Sequence, residues 1–254
     1  MVSVRQLRLL LAALLCPAVF SEPVKLPGSE TLHYGIEWRL INAGKATMSW
    51  SPAAGPSGDK DGWEIKLHLQ SSGLVSKLYK VDDLYTSQVS PDLCAVSSHL
   101  LAHEGRRRRE TTVTFNREEN KAHRVEKDLI KDAVIEDKFI DIPPCVHDVL
   151  GGLFKLRTLS LEPGETIQLP LSDGKKSVSA KIEAQQREDV KTKAGTFKTI
   201  RYQAYLFDNV LYRRSAKLYV WLTDDARRLP VQIRVRMQFT IGTITLQLQK
   251  EEHS

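Results

Sequence analysis

Two carboxylates and two guanidiniums stand close together at Asp224, Asp225, Arg227 and Arg228, between Trp221 and Val231. At the end of a strand such a set could form a charged rim that holds an ionic ligand. A hairpin turn uses the same residues for itself, because Asp accepts turn N–H groups and Arg pairs with Asp, and that reading is preferred. Arg106 to Arg109 form a second cationic run, between Glu104 and Glu110. Alternate strand residues face opposite sides, so Arg106 and Arg108 could together clamp a phosphate or headgroup. An edge strand kept by its charges from pairing with other chains is the preferred alternative.

Cys94, His99, His103, Cys145 and His147 are donors of the kind zinc takes. On a strand, His99 and His103 share a face but stand about 13 Å apart, too far for one ion. A Cys94–Cys145 disulfide uses both thiols and is the simpler account; two buried free thiols are the alternative. No metal or cofactor is expected. His147 and Asp148 resemble a base and its orienter, but neighbouring helix residues point about 100° apart. Asp148 is better suited to the start of a helix, where the dipole favours an acid. The chain has no G-x-S-x-G, H-E-x-x-H, phosphate loop or dinucleotide fingerprint. No catalytic residue is assigned, and a non-enzymatic role is favoured. Tyr34, Trp38, Trp50, Trp63 and Trp221, with Tyr79, Tyr85 and Phe239, fall on alternating runs. There they would line a cavity or fill a core.

The amino terminus sets the compartment. Arg5 and Arg8 precede an apolar run, Leu9 to Leu15, and Val19-Phe20-Ser21 offers a small-x-small exit. Residues 1–21 therefore read as a cleaved secretory signal and 22–254 as the mature protein, exported to a bacterial periplasm. Pro17 interrupts the apolar run, which falls short of the roughly 20 residues of a spanning helix. Leu15 before Cys16 disfavours a lipoprotein signal. Without Arg5 and Arg8 the formal charge drops from +6 to +4. That is too little for a nucleic-acid binder, and it suits weak peripheral contact with anionic lipid.

The elements that must position these residues are mostly strands. Alternation runs through Leu32 to Leu40, Ala46 to Trp50, Trp63 to Leu69, Leu78 to Ser87, Ala95 to His103, Glu110 to Asn116 and Ala122 to Lys127. The first two form a hairpin with its turn around Asn42 and Gly44. Strands resume over Thr166 to Leu171, Ser177 to Ala184, Val190 to Lys193, Phe197 to Phe207, Ala216 to Thr223, Val231 to Phe239 and Thr243 to Gln249. Between these sets, Val146, Val149, Leu150, Leu153 and Phe154 recur at helical spacing, bounded by Pro144 and Pro163. Gly151 and Gly152 weaken such a helix by about 1 kcal/mol each, yet would let it lie close to a sheet. About twelve antiparallel strands and one short helix are expected, in one domain without a linker.

Several of these segments together resemble a family of exported bacterial proteins, domain of unknown function 3108. They are Leu32 to Trp50 (LHYGIEWRLINAGKATMSW), Gly73 to Ser87 (GLVSKLYKVDDLYTS), Val146 to Arg157 (VHDVLGGLFKLR), Lys193 to Phe197 (KAGTF) and Val220 to Val231 (VWLTDDARRLPV). Gly151-Gly152 departs from the family's more typical Ser-Ala, so no role of that serine is carried over. The resemblance implies an exported, mainly β protein and no particular reaction. Its layout also suggests periplasmic lipid or lipoprotein carriers, an analogy of fold that does not fix function.

The expectation is thus a mainly β protein: a single curled antiparallel sheet or barrel-like domain, one short helix packed on it, and a Cys94–Cys145 tie. The leading function is binding of an apolar or amphipathic lipid or glycolipid. Arg106, Arg108, Asp148, Asp224, Asp225, Arg227 and Arg228 are its candidate rim. A structural or adaptor protein with an envelope partner, and a hydrolase of envelope polymers, are the alternatives.

Overall fold

The computed structural model describes residue 26 and residues 28–54, 60–237 and 242–253. The signal at 1–21, its cleavage site and Phe239 lie outside the described residues. The N-terminal half is a meander of β1 (Glu30–Trp38), β2 (Ile41–Ala54), β3 (Lys60–Ser71), a short helix α1 (Gly73–Leu78), β4 (Asp82–Val89), β5 (Ala95–Glu104), β6 (Arg107–Asn116), β7 (Lys121–Asp128) and β8 (Ala133–Asp141). Helix α2 (Val149–Arg157) comes next. The chain then runs through β9 (Thr166–Ser172), β10 (Ser177–Thr192), β11 (Gly195–Ala204), β12 (Ala216–Thr223), β13 (Pro230–Met237) and β14 (Thr243–His253).

All fourteen strands join one antiparallel sheet in the order 8-7-6-5-4-3-2-1-14-13-12-11-10-9. Strand β14 returns to pair with β1, which splices the two meanders. A sheet this wide curls under its own twist. It curls until the β9–β10 turn meets the far edge: Arg124 Nη1 on β7 donates to the Asp173 carbonyl (3.3 Å), and Lys138 Nζ on β8 donates to the Lys175 carbonyl (3.1 Å). Strands β8 and β9 never pair, so the barrel-like sheet stays open along one seam.

A short strap crosses that seam. The Ala95 N–H at the start of β5 donates to the Val146 carbonyl (2.8 Å). The His147 N–H donates to the Pro170 carbonyl, and the Ser172 N–H to the His147 carbonyl, both at 2.9 Å. His147 thus pairs with β9 as a one-residue parallel strand. Its Nδ1 donates to the Leu93 carbonyl (2.6 Å), and burial holds its pKa below the ordinary value, so the ring stays neutral. Cys94 and Cys145 are bonded, with Cα atoms 5.1 Å apart, and pin the strap to the sheet.

Helix α2 lies inside the curl. Asp148 caps it, its Oδ1 accepting from the Gly151 N–H at 2.7 Å. A Cβ on Gly152 would sit 2.6 Å from Leu171 Cδ2, so a larger residue there would have to displace that side chain of β9. The first core cluster centres on Trp50, stacked between Trp63 (ring centroids 4.3 Å) and Phe154 (4.6 Å). Tyr34 packs in the same cluster, and its hydroxyl donates to the Pro230 carbonyl (2.8 Å). The last residue of α2, Arg157, is fully buried. It binds both oxygens of Glu30 (2.7 and 3.0 Å), donates to the carbonyls of Arg227 and Arg228, and covers the Phe154 ring. A second cluster, around Tyr202, Ile200 and Leu222, fills the C-terminal half of the sheet.

The structure departs from the sequence expectation at five points. The first hairpin turns at Arg39-Leu40, both at positive φ, rather than around Asn42 and Gly44. The strand expected from Leu78 begins at Asp82, and residues 73–78 form α1, which makes the helices two among the described residues. Strand β8 is additional: it is an edge, exposed on both faces over much of its length, so no apolar alternation marks it. Ser177 to Ala184 and Val190 to Lys193 are one strand, β10, whose register shift between Ala184 and Gln186 disrupts the alternation. Helix α2 starts at Val149, because Val146 and His147 are held as the strap.

Two consequences are measurable. The disulfide closes a segment with a sequence separation of 51 residues. In the chain-entropy relation such a loop contributes about 4 kcal/mol. Cys94→Ser with Cys145→Ser, or reduction of the native chain, should lower the thermal midpoint markedly. Arg157→Ala leaves the Glu30 carboxylate buried without its partner, a defect that costs about 3–5 kcal/mol. Replacing Arg157 and Glu30 together with apolar residues should recover much of that loss in denaturant unfolding.

Candidate functional site

Inside the curl, beside the first turn of α2, lies a cavity of about 980 Å³. Alternation along the strands builds its walls. Leu67 and Leu69 from β3, Tyr85 from β4, Leu100 from β5 and Val113 from β6 all point inward, and Val149 and Leu150 of α2 face them. Leu211 and Tyr212, from the connection between β11 and β12, complete the apolar part. The volume is at the upper end of the range of small-molecule sites, which are mostly apolar with a few polar groups.

The polar groups gather where the seam is open. Arg124, Glu136 and Lys138 come from β7 and β8, Asp173, Lys175 and Lys176 from the β9–β10 turn, and Arg213 from the β11–β12 connection. Arg124 bridges Glu126 (2.6 Å) and Glu136 (2.8 Å), and Arg109 reaches Glu126 from β6 (2.6 Å). Burial pushes the Glu126 and Glu136 carboxyls up. Hydrogen bonds from Arg124 to both, and from Arg109 to Glu126, with Lys175 nearby, outweigh it and hold both below the usual range. The carboxylates here are thus ionised and already engaged. Lys176 Nζ donates to the Asn209 carbonyl (2.8 Å), which sets it across the opening. Five cationic and three anionic side chains line the cavity, an excess of positive charge at its polar side.

At the inner wall, the Tyr85 hydroxyl donates to Asp148 Oδ2 at 2.9 Å. Asp148 is fully buried; burial drives its pKa up, and its hydrogen bonds only partly offset that. Asp83, also lining the cavity, accepts from the His103 N–H (2.8 Å) and is raised by burial. Each of these acids has a structural bond.

The residues singled out from sequence fall in several places. Asp148 touches the cavity wall through Tyr85, as the helix cap. Asp224, Asp225, Arg227 and Arg228 lie in the β12–β13 turn and do not line the cavity. They serve the turn: Asp225 accepts from the Thr223 hydroxyl (2.6 Å) and the Arg227 N–H (3.0 Å), Asp224 pairs with Arg187 (2.7 Å), and Arg228 donates to Ser160 Oγ (2.8 Å). Arg106 and Arg108 stand at the β5–β6 turn, outside the cavity, and Arg108 bonds the Gly105 and Arg107 carbonyls. Among the aromatics, Tyr34 and Trp50 are core. Trp63 stacks on Trp50, Trp38 lies under Arg39, and Trp221 donates to Glu188 (2.8 Å). Tyr85 lines the cavity. Sequence reasoning misses Lys138, Lys175, Lys176, Arg213 and Tyr212. Their one sequence signal is the basic pair after the Ser172-Asp173-Gly174 turn, and it gains meaning only once the curl carries that turn to β7 and β8.

Fold and cavity together define a class: a curled, incompletely closed antiparallel sheet with a helix and a cavity inside. The chain belongs to the family described as Protein of unknown function (DUF3108), which it matches over residues 31–249. Among solved structures it is similar to a beta-barrel-like protein of domain of unknown function DUF1849 from Brucella abortus. The two are 8% identical with a TM-score of 0.60, over 90% of this chain and 99% of that one. At that identity the likeness is one of fold. A protein of Bacteroides fragilis described as exported, with a YmcC-like fold, is 9% identical over 91% of this chain and 100% of its own, with a TM-score of 0.37. A protein of Parabacteroides distasonis described as a lipoprotein is 10% identical over 89% and 97%, with a TM-score of 0.31. None of the curated proteins compared with the chain matches it.

Asp148 gives a pH test. Its folded pKa lies above the unfolded value, so the stabilisation from this group is complete below the unfolded pKa and lost as pH rises through the folded one. Asn caps a helix as well as Asp and carries no charge. Asp148→Asn should therefore match or exceed the native thermal midpoint at pH 7, with the gap closing as pH falls towards 4. Asp148→Ala should lose about 1 kcal/mol or more at both pH values, because the cap itself is gone.

Proposed function

We propose that this is an exported, non-enzymatic protein of the bacterial periplasm that holds an amphipathic, lipid-like ligand in the cavity. The observation that carries the reading is the composition of that cavity: leucines and tyrosines on its walls, and Arg124, Lys138, Lys175, Lys176 and Arg213 on its polar side. Acyl chains would lie along Leu67, Leu69, Leu100 and Leu211. An anionic or polyhydroxylated headgroup would meet the cations, whose hydrogen-bonding geometry suits phosphate and carboxylate oxygens. The signal-like start, Arg5 to Ser21, and the Cys94–Cys145 bond support residence in an oxidising compartment.

The adaptor reading draws on a separate observation. Strand β8 is an open sheet edge that exposes Val134, Ile135 and Phe139, as a site for strand addition would. The hydrolase reading draws on nothing in the cavity, where Glu136, Asp83 and Asp173 are each bound to a structural partner.

Native mass spectrometry of the protein exported by a bacterial host and purified without detergent tests the leading reading. A bound mass released on denaturation and extractable as a lipid or glycolipid is expected. Leu100→Trp, which fills the cavity from β5, should keep the thermal midpoint within a few degrees and lose at least about tenfold of that occupancy. An unliganded mass from the native chain, unchanged after incubation with envelope lipid extract, would sink the reading and favour the adaptor.

A further inference from the structure

One end of the curled sheet exposes apolar side chains that the core does not use. The Arg39-Leu40 turn leaves Leu40 92% exposed, at φ 69°, a backbone conformation unfavourable for a leucine. Ile41 beside it is also exposed. Helix α1 buries no residue at all, and Leu74, Leu78 (73% exposed) and Tyr79 face solvent. A helix of six residues has little stability of its own, and in this one Val75 and Ser76 are half-buried while the rest is exposed. Ile130, in the turn between β7 and β8, is exposed as well.

These turns are physically continuous. The Ser72 N–H before α1 donates to the Ala43 carbonyl (2.8 Å), and the Gly105 N–H to the Lys80 carbonyl (2.7 Å). The Leu129 N–H donates to the Arg108 carbonyl (2.9 Å), joining the β7–β8 turn to the first residues of β6. Cations are interleaved with the apolar groups: Arg39, Lys77, Lys80, Arg106, Arg107 and Lys131 are all exposed. Asp132 is the exposed acid in these four turns. Apolar tips among basic residues, on protruding turns rather than in a groove, fit a lipid headgroup layer better than a folded partner. Each cation near an anionic surface adds attraction, and each buried leucine adds apolar transfer.

We infer that this end of the protein, formed by the β1–β2 turn, α1 and the β5–β6 and β7–β8 turns, docks onto the surface of an anionic lipid bilayer. Leu40, Leu74 and Leu78 enter the headgroup layer, and the arginine–lysine collar sits on its charge. The cavity-lining residues Leu69, Asp83, Leu100 and Thr111 lie in the halves of β3 to β6 that lead to this same end. The docked protein therefore holds its cavity close to the bilayer. The surface itself stands on its own residues and does not depend on what the cavity binds.

Co-flotation with vesicles tests this. The protein should float with phosphatidylcholine vesicles containing an equal part of phosphatidylglycerol, much less with phosphatidylcholine alone, and less as salt is raised. Leu74→Ser with Leu78→Ser should weaken flotation about tenfold or more while leaving the thermal midpoint nearly unchanged, since α1 buries nothing. Arg106→Glu with Arg107→Glu should erase the preference for phosphatidylglycerol. Leu100→Trp should float like the native chain even where it loses bound mass, so the docking surface and the cavity ligand fail separately. Absence of flotation with phosphatidylglycerol vesicles, or flotation untouched by both double variants, overturns the inference. So does a dimer in sedimentation that the leucine variant dissolves, which would assign this end to a second copy of the chain.

Discussion

The architecture depends on the two backbone hydrogen bonds that His147 makes with β9. A sheet of fourteen strands has two edges, and an unpaired edge in a curled sheet must be sealed, covered or left to solvent. Here the curl stops short of closure, and Val146 and His147 fill part of the gap. Val146 accepts from β5 on one side, and His147 exchanges two bonds with β9 on the other. Because the same segment leads directly into the Asp148 cap, the strap also aims α2. The disulfide at Cys145 and the neutral, buried imidazole of His147 then fix the strap from both of its ends.

Placing α2 inside the curl dictates much of the remaining packing. The helix packs close against β9, where Gly152 meets the Leu171 side chain. Its far end carries a charge, Arg157, out of contact with bulk solvent. That charge is met by Glu30 and by the carbonyls of the β12–β13 turn. The turn presents those carbonyls because Asp225 and Thr223 shape it and Arg228 adopts a positive φ. The turn between Trp221 and Val231 thus serves the helix terminus through its carbonyls. The helix is nine residues long and does not fill the curl. The unfilled part is the cavity.

Much of this architecture is legible in the sequence, and the exceptions share a cause. Strands that bury residues of one face show themselves by alternation: β5, β7, β9 and β12 read at nearly their true bounds. The Asp148 cap, the close approach of the glycines and the pairing of Cys94 with Cys145 come from residue type and compartment. Strand β8 and helix α1 are not legible, because neither buries a face and periodicity is a record of burial. The Arg39-Leu40 turn is misplaced because its residues are poor formers of the conformation they adopt, while Asn42 and Gly44 nearby are good ones. The cavity's polar side is invisible for a different reason. Arg124 on β7 and Lys175 after β9 are brought together by curl, a property of the whole sheet that no local window contains.

The elements that sequence patterning hides are those turned outward, and they lie on one continuous surface or on the open edge. That is a physical regularity. A residue keeps a period when it answers to the core, and escapes it when it answers to solvent or to something beyond the protein. The β12–β13 turn commits its charged residues to internal bonds. At the opposite end, α1 and the Arg39-Leu40 turn contribute nothing to either main core cluster, yet hold leucines in water at a cost in apolar hydration and backbone strain. A fold that closes one end with ion pairs and keeps the other apolar and cationic is polarised along its axis. Its cavity walls lie nearer the second end, so the asymmetry of the surface and the asymmetry of the interior point in the same direction.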